Sequence, residues 1–152
     1  MANLDYSHTQ TSPIRYILVV VITLSVLTGW LWRSEFWAWF SMAFLAGVCL
    51  LILLTMTTLT IQGHSDSLEV KFGPLPLFST RIPLDDIRAF SATRSRVIDG
   101  WGIHYIPGRG WTWSLWGFDC VDIERQHSSI RIGTDDPQNL AAYLQIAVGR
   151  GQ

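Results

Sequence analysis

Arginines and tryptophans in the second half of the chain are the side chains best suited to recognising another molecule. Arginine pairs with phosphate and carboxylate groups, while tryptophan is enriched at protein interfaces and at the membrane–water boundary. Trp101 and Arg109 lie in glycine-rich turns and are therefore the first candidates for contact with a lipid or a protein partner. Arg94 and Arg96 are further candidates for the same contact. The whole group is Arg88, Arg94, Arg96, Trp101, Arg109, Trp111, Trp113 and Trp116.

A purely structural role for this group is the competing interpretation. Alternation along the chain predicts that Trp111 and Trp113 share one face of a strand and that Trp116 faces the other way. Large aromatic side chains dominate small cores, so Trp111 and Trp113 could be core residues and the arginines a solvated surface. Both interpretations stay open on the sequence alone.

Residues for catalysis or metal binding do not form a recognisable set. His8, His64, His104 and His127 have no ligand spacing, and no second cysteine accompanies Cys120. Acid–base catalysis needs two converging carboxyl groups, whereas the acidic residues have ordinary uses in turns, in a helix cap and on a strand surface. These acidic residues are Asp85, Asp86, Asp119, Asp122, Glu124, Asp135 and Asp136. We therefore predict no catalytic, cofactor or metal site, and an unrecognised enzyme is the last of three hypotheses.

Two apolar runs in the first 61 residues predict a membrane hairpin. Residues 14–32 and 36–61 flank the short polar break Arg33-Ser34-Glu35, and about 20 apolar residues suffice to cross a bilayer. Trp30 and Trp32 stand where a signal-peptide cleavage site would need small residues, so we expect the first run to be retained. The lipid bilayer is thus the first predicted partner, and residues 1–13 are expected to be a flexible tail.

The distribution of basic residues predicts the orientation of this hairpin. Arg15, Lys71 and Arg81 lie on the side of the termini, whereas Arg33 on the opposite side is offset by Glu35. Basic residues favour the cytoplasmic side, so both termini and the C-terminal domain are expected there, in the inner or plasma membrane. The net charge of −1 does not predict nucleic-acid binding.

The remainder, residues 66–149, has the pattern of a small α+β domain. Period-two alternation predicts seven short strands, and Asp135-Asp136-Pro137 then starts an amphipathic helix that ends at Gly149. Together they predict a bent antiparallel sheet or partly open barrel whose open edge the helix covers. The predicted strands lie around 68–72, 78–82, 87–94, 103–106, 111–115, 121–124 and 130–132.

Four short motifs resemble those of bacterial pleckstrin-homology-like (PH-like) domains that follow a two-helix membrane hairpin. They are Gly100-Trp101-Gly102-Ile103, Gly108-Arg109-Gly110-Trp111, Val121-Asp122-Ile123-Glu124 and the run from Arg131 to Pro137. The resemblance implies a seven-stranded PH-like barrel with one C-terminal helix, and little about mechanism. His104 departs from it, since the family pattern often has arginine there. The first strand loop, Gly73 to Leu77, lacks the basic cluster through which eukaryotic PH domains bind phosphoinositides, so that activity is not implied.

The first functional hypothesis is a membrane-anchored, non-catalytic adaptor that binds a protein partner or a second copy of itself through the loops holding Trp101 and Arg109. The alternative is a module that binds lipid headgroups. No nucleic acid and no small-molecule substrate is indicated by any motif.

Overall fold

The two apolar runs form long helices in the computed structural model, which describes residues 6–96 and 100–149. Helix α1 spans Ile14–Leu31 and helix α2 spans Phe36–Met56. At 1.5 Å per residue they are about 27 and 31 Å long, close to the thickness of a bilayer core. Length and apolar composition are therefore compatible with membrane association. The helices lie close together near the turn, where a Cβ at Gly29 would be 3.3 Å from that of Met42.

The second helix is shorter than predicted, because its expected last turn is a strand. Helix α2 ends at Met56, and Thr58–Gly63 forms β2. Leu59 and Ile61 point into the core, while the β-branched Thr58 and Thr60 alternate with them, as suits a strand. The prediction of a helix to residue 61 was wrong because apolar residues and threonines satisfy either pattern over so few positions.

An N-terminal strand replaces most of the expected flexible tail. Tyr6–Thr11 forms β1, which pairs antiparallel with β2 from Tyr6↔Gly63 to Thr11↔Thr58. The tail prediction is corrected for these residues, and Met1–Asp5 lie outside the described residues. The sequence of β1 is mainly polar and shows no hydrophobic alternation, so it did not predict a strand. The strand forms because the helical hairpin brings β2 next to it in the fold.

Nine strands in two sheets form the rest of the domain in the described part of the chain, rather than seven in one barrel. All seven predicted strands are present, and β1 and β2 are additional. The first sheet has the order β1-β2-β3-β4 and the second β5-β8-β9-β7-β6, with every pair antiparallel except β7 with β9. The remaining strands are β3 Ser67–Phe72, β4 Phe78–Pro83, β5 Ile87–Arg94, β6 Gly102–Ile106, β7 Gly110–Ser114, β8 Asp119–Arg125 and β9 Ser129–Gly133.

Both sheets and the C-terminal helix contribute to one core. Helix α3, Pro137–Gly149, buries Leu140 and Leu144 completely and packs against β5 and β8. Its Tyr143 stacks on Tyr6 of β1 at 5.4 Å between ring centroids and donates a hydrogen bond to the His64 carbonyl at 2.9 Å. The predicted helix is confirmed, and it fastens the β1 side of the first sheet to the β5 side of the second.

Candidate functional site

Trp101 packs at a tilt against Trp116 and Phe118 of the loop that joins β7 to β8. The Trp101 ring lies 4.9 Å from that of Trp116 and 6.5 Å from that of Phe118. The Trp101 indole N–H donates to the Gly117 carbonyl at 3.1 Å. Trp101 nevertheless stays 52% exposed. A large apolar ring is thus held in one orientation with half of its surface available to another molecule.

This loop is attached to the segment that enters helix α1. The Gln10 side-chain amide donates to the Trp116 carbonyl at 2.8 Å. Pro13, the residue before α1, lines a depression together with Trp116 and Phe118. Trp101 and Trp116 therefore lie at the end of the domain from which the first apolar helix leaves.

Two of the candidate arginines flank the same loop. The Ser95 amide donates to the Phe118 carbonyl at 2.6 Å, which places Arg94 and Arg96 on either side of it. Both arginines line a shallow depression with Phe118. The Arg94 guanidinium pairs with Asp119 at 3.1 Å, and both side chains are largely exposed. Three of the four predicted contact residues, Arg94, Arg96 and Trp101, therefore form one group, which we call the Arg–Trp cluster.

The fourth candidate, Arg109, lies elsewhere. It occupies the β6–β7 turn, where its carbonyl accepts a hydrogen bond from the Ser129 hydroxyl at 2.6 Å. The five residues of β6 separate it from Trp101, which is about 17 Å at 3.3 Å per residue. The expectation that the loops of Trp101 and Arg109 form one contact surface is not supported by this separation.

An apolar cleft that the sequence did not reveal opens between the two sheets. It lies between the start of β4 and the inner face of β6, β7 and β9, and its volume is about 460 Å³. Its apolar lining is Leu77, Phe78, Ile103, Trp111, Trp113 and Ile130, and its polar lining is Ser79, Thr80, Arg125, Ser128 and Ser129. The sequence contains no signal for it, since Leu77 is predicted in a loop and Phe78 in the strand 78–82.

Both tryptophans of β7 line this cleft, but only Trp113 also packs on the core. Their shared face is confirmed by the register, since Trp111 stands beside Ile130 and Trp113 beside Ile132. Trp113 packs on the core residue Phe72 at 5.8 Å, but Trp111 is 50% exposed. The interpretation of both as core residues is therefore correct for Trp113 and wrong for Trp111.

Strand edges border the cleft on both sides. Strand β4 is the last strand of the first sheet and β6 the last strand of the second. An edge strand presents backbone N–H and C=O groups that another extended chain can pair with. The cleft thus combines apolar side-chain surface with main-chain hydrogen-bonding groups.

Several carboxylates of the domain are engaged in ion pairs. Asp122 receives two bonds from the Arg131 guanidinium, one of them at 2.7 Å, and Asp86 receives one from Arg125 at 2.6 Å. Arg125 holds the pKa of the Asp86 carboxyl below its usual range. No group of three or more metal-ligating side chains occurs among residues 6–96 and 100–149.

Cys120 and His104 are the remaining side chains whose functional groups are able to react or to bind a ligand. Burial raises the pKa of the Cys120 thiol to about 11, so that it is protonated and a poor nucleophile at neutral pH. The His104 Nε2 atom is buried without a hydrogen-bond partner in the described part of the structure. His104 stands opposite Thr112 on the β6–β7 hairpin.

Comparison with known proteins identified no relative: no protein-family model, no curated protein and no solved structure matches this chain.

Proposed function

We propose that this protein is a membrane-anchored, non-catalytic adaptor whose β domain lies at the cytoplasmic face and binds an extended segment of a protein partner. Helices α1 and α2 provide the anchor as a two-pass hairpin. The observation that carries the proposal is the apolar cleft bordered by the edge strands β4 and β6. An extended peptide can add its backbone to such an edge while its alternate side chains fill the adjoining pocket.

The chemistry around the cleft supports binding rather than catalysis. Half-exposed Trp111 is a suitable anchor, since tryptophan is enriched among residues that dominate binding energy. Asp86 and Asp122 are each held by an arginine, and the Cys120 thiol is protonated. Neither of these carboxylates is therefore presented as a base to a molecule lying in the cleft.

Crosslinking in membranes tests the adaptor proposal. Wild type is compared with Trp111→Ala, which removes a wall of the cleft, and with Trp101→Ala and Arg109→Ala, which leave that wall intact. We expect Trp111→Ala alone to lose the crosslinked species, whether that species is another protein or a differently tagged copy of this chain. A crosslinking pattern unchanged in Trp111→Ala would contradict the cleft as the binding site.

A second candidate function, binding of anionic lipid headgroups, is favoured by the position of the Arg–Trp cluster. Arg94, Arg96 and Trp101 lie around the loop whose Trp116 and Phe118 line a depression with Pro13, the residue before α1. Arginine pairs well with phosphate, and an exposed ion pair such as Arg94 with Asp119 contributes little stability, so it can be exchanged for a lipid phosphate.

Lipid retention separates this second candidate from the first. The full chain is purified from micelles containing equal amounts of phosphatidylcholine and phosphatidylglycerol, and the bound lipid is measured at low and high salt. Headgroup binding predicts selective retention of phosphatidylglycerol that falls with salt and is lost in the double variant Arg94→Gln/Arg96→Gln. Arg88→Gln, an exposed arginine of the same strand β5, is the matched control. If the double variant and Arg88→Gln retain equal amounts of phosphatidylglycerol, the Arg–Trp cluster is not the headgroup-binding site.

A further inference from the structure

The turn between β3 and β4 carries two exposed leucines on a stiff backbone. Its sequence is Gly73-Pro74-Leu75-Pro76-Leu77, and the two prolines fix their own φ angles. Leu75 is 47% exposed and Leu77 is 66% exposed. Two exposed leucines on one five-residue turn make a small apolar surface that a partner can cover.

Hydrogen bonds fasten this turn to the end of helix α2 and to the first residue of β2. The Leu75 amide donates to the Leu54 carbonyl at 3.1 Å, and the Gly73 amide donates to the Thr58 carbonyl at 2.8 Å. Gly73 has φ +72°, and a Cβ there would lie 2.5 Å from the Leu54 carbonyl oxygen. The turn therefore rests directly on the last helical turn and cannot swing away without breaking these contacts.

The depth of the Leu54 carbonyl in the membrane sets the depth of Leu75 and Leu77. Helix α2 is about 31 Å long, which matches the hydrocarbon thickness of about 30 Å. Leu54 is two residues from the end of this helix, so its carbonyl lies near the boundary between hydrocarbon and headgroups. A turn bonded to that carbonyl lies at the same level.

We propose that Leu75 and Leu77 insert into the interfacial layer of the bilayer that α1 and α2 cross, so that the lipid surface is the partner of this turn. The proposal rests on the membrane anchor of the proposed function. The bond to Leu54 of α2, together with the bond to Thr58 two residues beyond the end of that helix, holds the turn at this level.

This insertion fixes which way the cleft faces. Leu77 and Phe78 line the cleft where β4 begins, whereas Arg125, which also lines it, is bonded to Asp86 just beyond the end of β4. With Leu77 in the interfacial layer, the end of the cleft at the start of β4 lies at the membrane surface. The partner segment that the cleft accepts is then one that runs along the membrane, such as the juxtamembrane stretch of another membrane protein.

Depth measurements with an environment-sensitive fluorophore test the proposal on the full chain in phosphatidylcholine vesicles. The two native cysteines, Cys49 and Cys120, are both buried and are first changed to alanine. A bimane label is then placed by Leu77→Cys or, as an independent second position, Leu75→Cys. Leu51→Cys on the exposed side of α2 is the lipid control, and Asp85→Cys beyond the far end of β4 is the water control.

We expect the labels at 75 and 77 to be quenched by nitroxide attached near the lipid headgroup, to resist iodide in the water, and to emit at shorter wavelength than the label at 85. If the label at 51 is lipid-protected while those at 75 and 77 behave like the label at 85, insertion of the turn is wrong and the anchor stands. If the label at 51 is also quenched by iodide, the membrane anchor itself is wrong and the insertion falls with it. Retained protease resistance of the β domain confirms that each labelled variant is folded.

Discussion

Two glycines with the same backbone conformation show how much the surroundings of a single residue decide. Gly73 and Gly108 have φ values of +72° and +79°, a region that costs other residues about 1–2 kcal/mol. Around Gly108 there is open space, whereas Gly73 faces the Leu54 and Thr55 carbonyls at the end of α2. Gly108 therefore serves only its own turn, whereas Gly73 lets the domain approach the helix closely.

Alanine at these two positions should therefore have unequal effects. We expect Gly108→Ala to lower the free energy of unfolding by about 1–2 kcal/mol, the cost of the positive φ alone. Gly73→Ala should cost more, because backbone atoms of α2 must also move away. Thermal unfolding in detergent micelles measures the difference, and equal losses would contradict the close contact between turn and helix.

Glu69 is the residue whose titration is most clearly tied to its neighbours. Its carboxylate lies 2.9 Å from the Lys71 ammonium and 3.2 Å from His64. The hydrogen bond from Lys71 holds the pKa of Glu69 below its usual range despite some desolvation. A lowered folded-state pKa means that the ionised form stabilises the domain at neutral pH.

The stability that Glu69 contributes should disappear in acid. An acid with a lowered pKa contributes fully above its unfolded value, about 4.3, and loses the contribution as the pH falls through the folded value. We expect Glu69→Gln to unfold at a lower temperature than wild type at pH 7, and the two proteins to converge near pH 3. A difference that does not change with pH would show that the ionised carboxylate is not its source.

At the scale of elements, the hairpin is inserted between two neighbouring strands of one sheet. Strands β1 and β2 flank α1 and α2 in the chain and pair with each other along six residues. Leu59 and Ile61 of β2 belong to the buried core, and Tyr6 of β1 stacks on the C-terminal helix. A fragment beginning at Asp66 therefore lacks two strands and part of the core, although the sequence pattern favoured it as a separate domain.

Removal of β1 should destabilise the whole β domain. Deleting residues 1–11 removes the strand pairing and the Tyr6–Tyr143 stack, an aromatic pair worth about 0.5–1.5 kcal/mol by itself. We expect the unfolding temperature to fall by about 5–10 °C, given about 2–4 °C per kcal/mol for a chain of this size. Deletion of residues 1–5 is the matched control, since it leaves β1 intact, and equal effects of both deletions would contradict a structural role for the strand.

At the scale of the whole molecule, the pairing of β1 with β2 constrains the topology. The strand before α1 and the strand after α2 belong to one sheet, so both ends of the hairpin emerge on the same side of any membrane it crosses. Sequence reasoning reached the same expectation from the number of apolar runs. The sheet adds a physical requirement, because the domain cannot form with its first strand on the opposite side.

Reporter fusions at either terminus should therefore agree with each other. We expect alkaline phosphatase to be inactive at both the N-terminus and the C-terminus, as the distribution of basic residues predicts for cytoplasmic ends. The chain should also remain in the membrane pellet after alkaline carbonate extraction. Activity at both ends would reverse the orientation, whereas activity at one end only would contradict the pairing of β1 with β2 in the membrane.

The sequence by itself determined the elements whose signal is local. The two apolar helices, the strands from β3 to β9 and the helix after Pro137 all follow from hydrophobic period and capping within a few residues. Three of the four predicted contact residues also prove to be neighbours. The local pattern could not show that Arg109 lies apart from them, because the spacing of turns along the chain does not give their spacing in the fold.

Only the tertiary structure decided the features that depend on distant pairing. Tyr6 and Gly63 are 57 positions apart, and a polar strand such as β1 is stabilised by its partner rather than by its own composition. The cleft likewise arises where the edge of one sheet faces the inside of another, so Trp111 is half exposed while Trp113, two residues on, is packed on the core. Side-chain period reports which face a residue occupies, but the packing of whole sheets decides whether that face is covered.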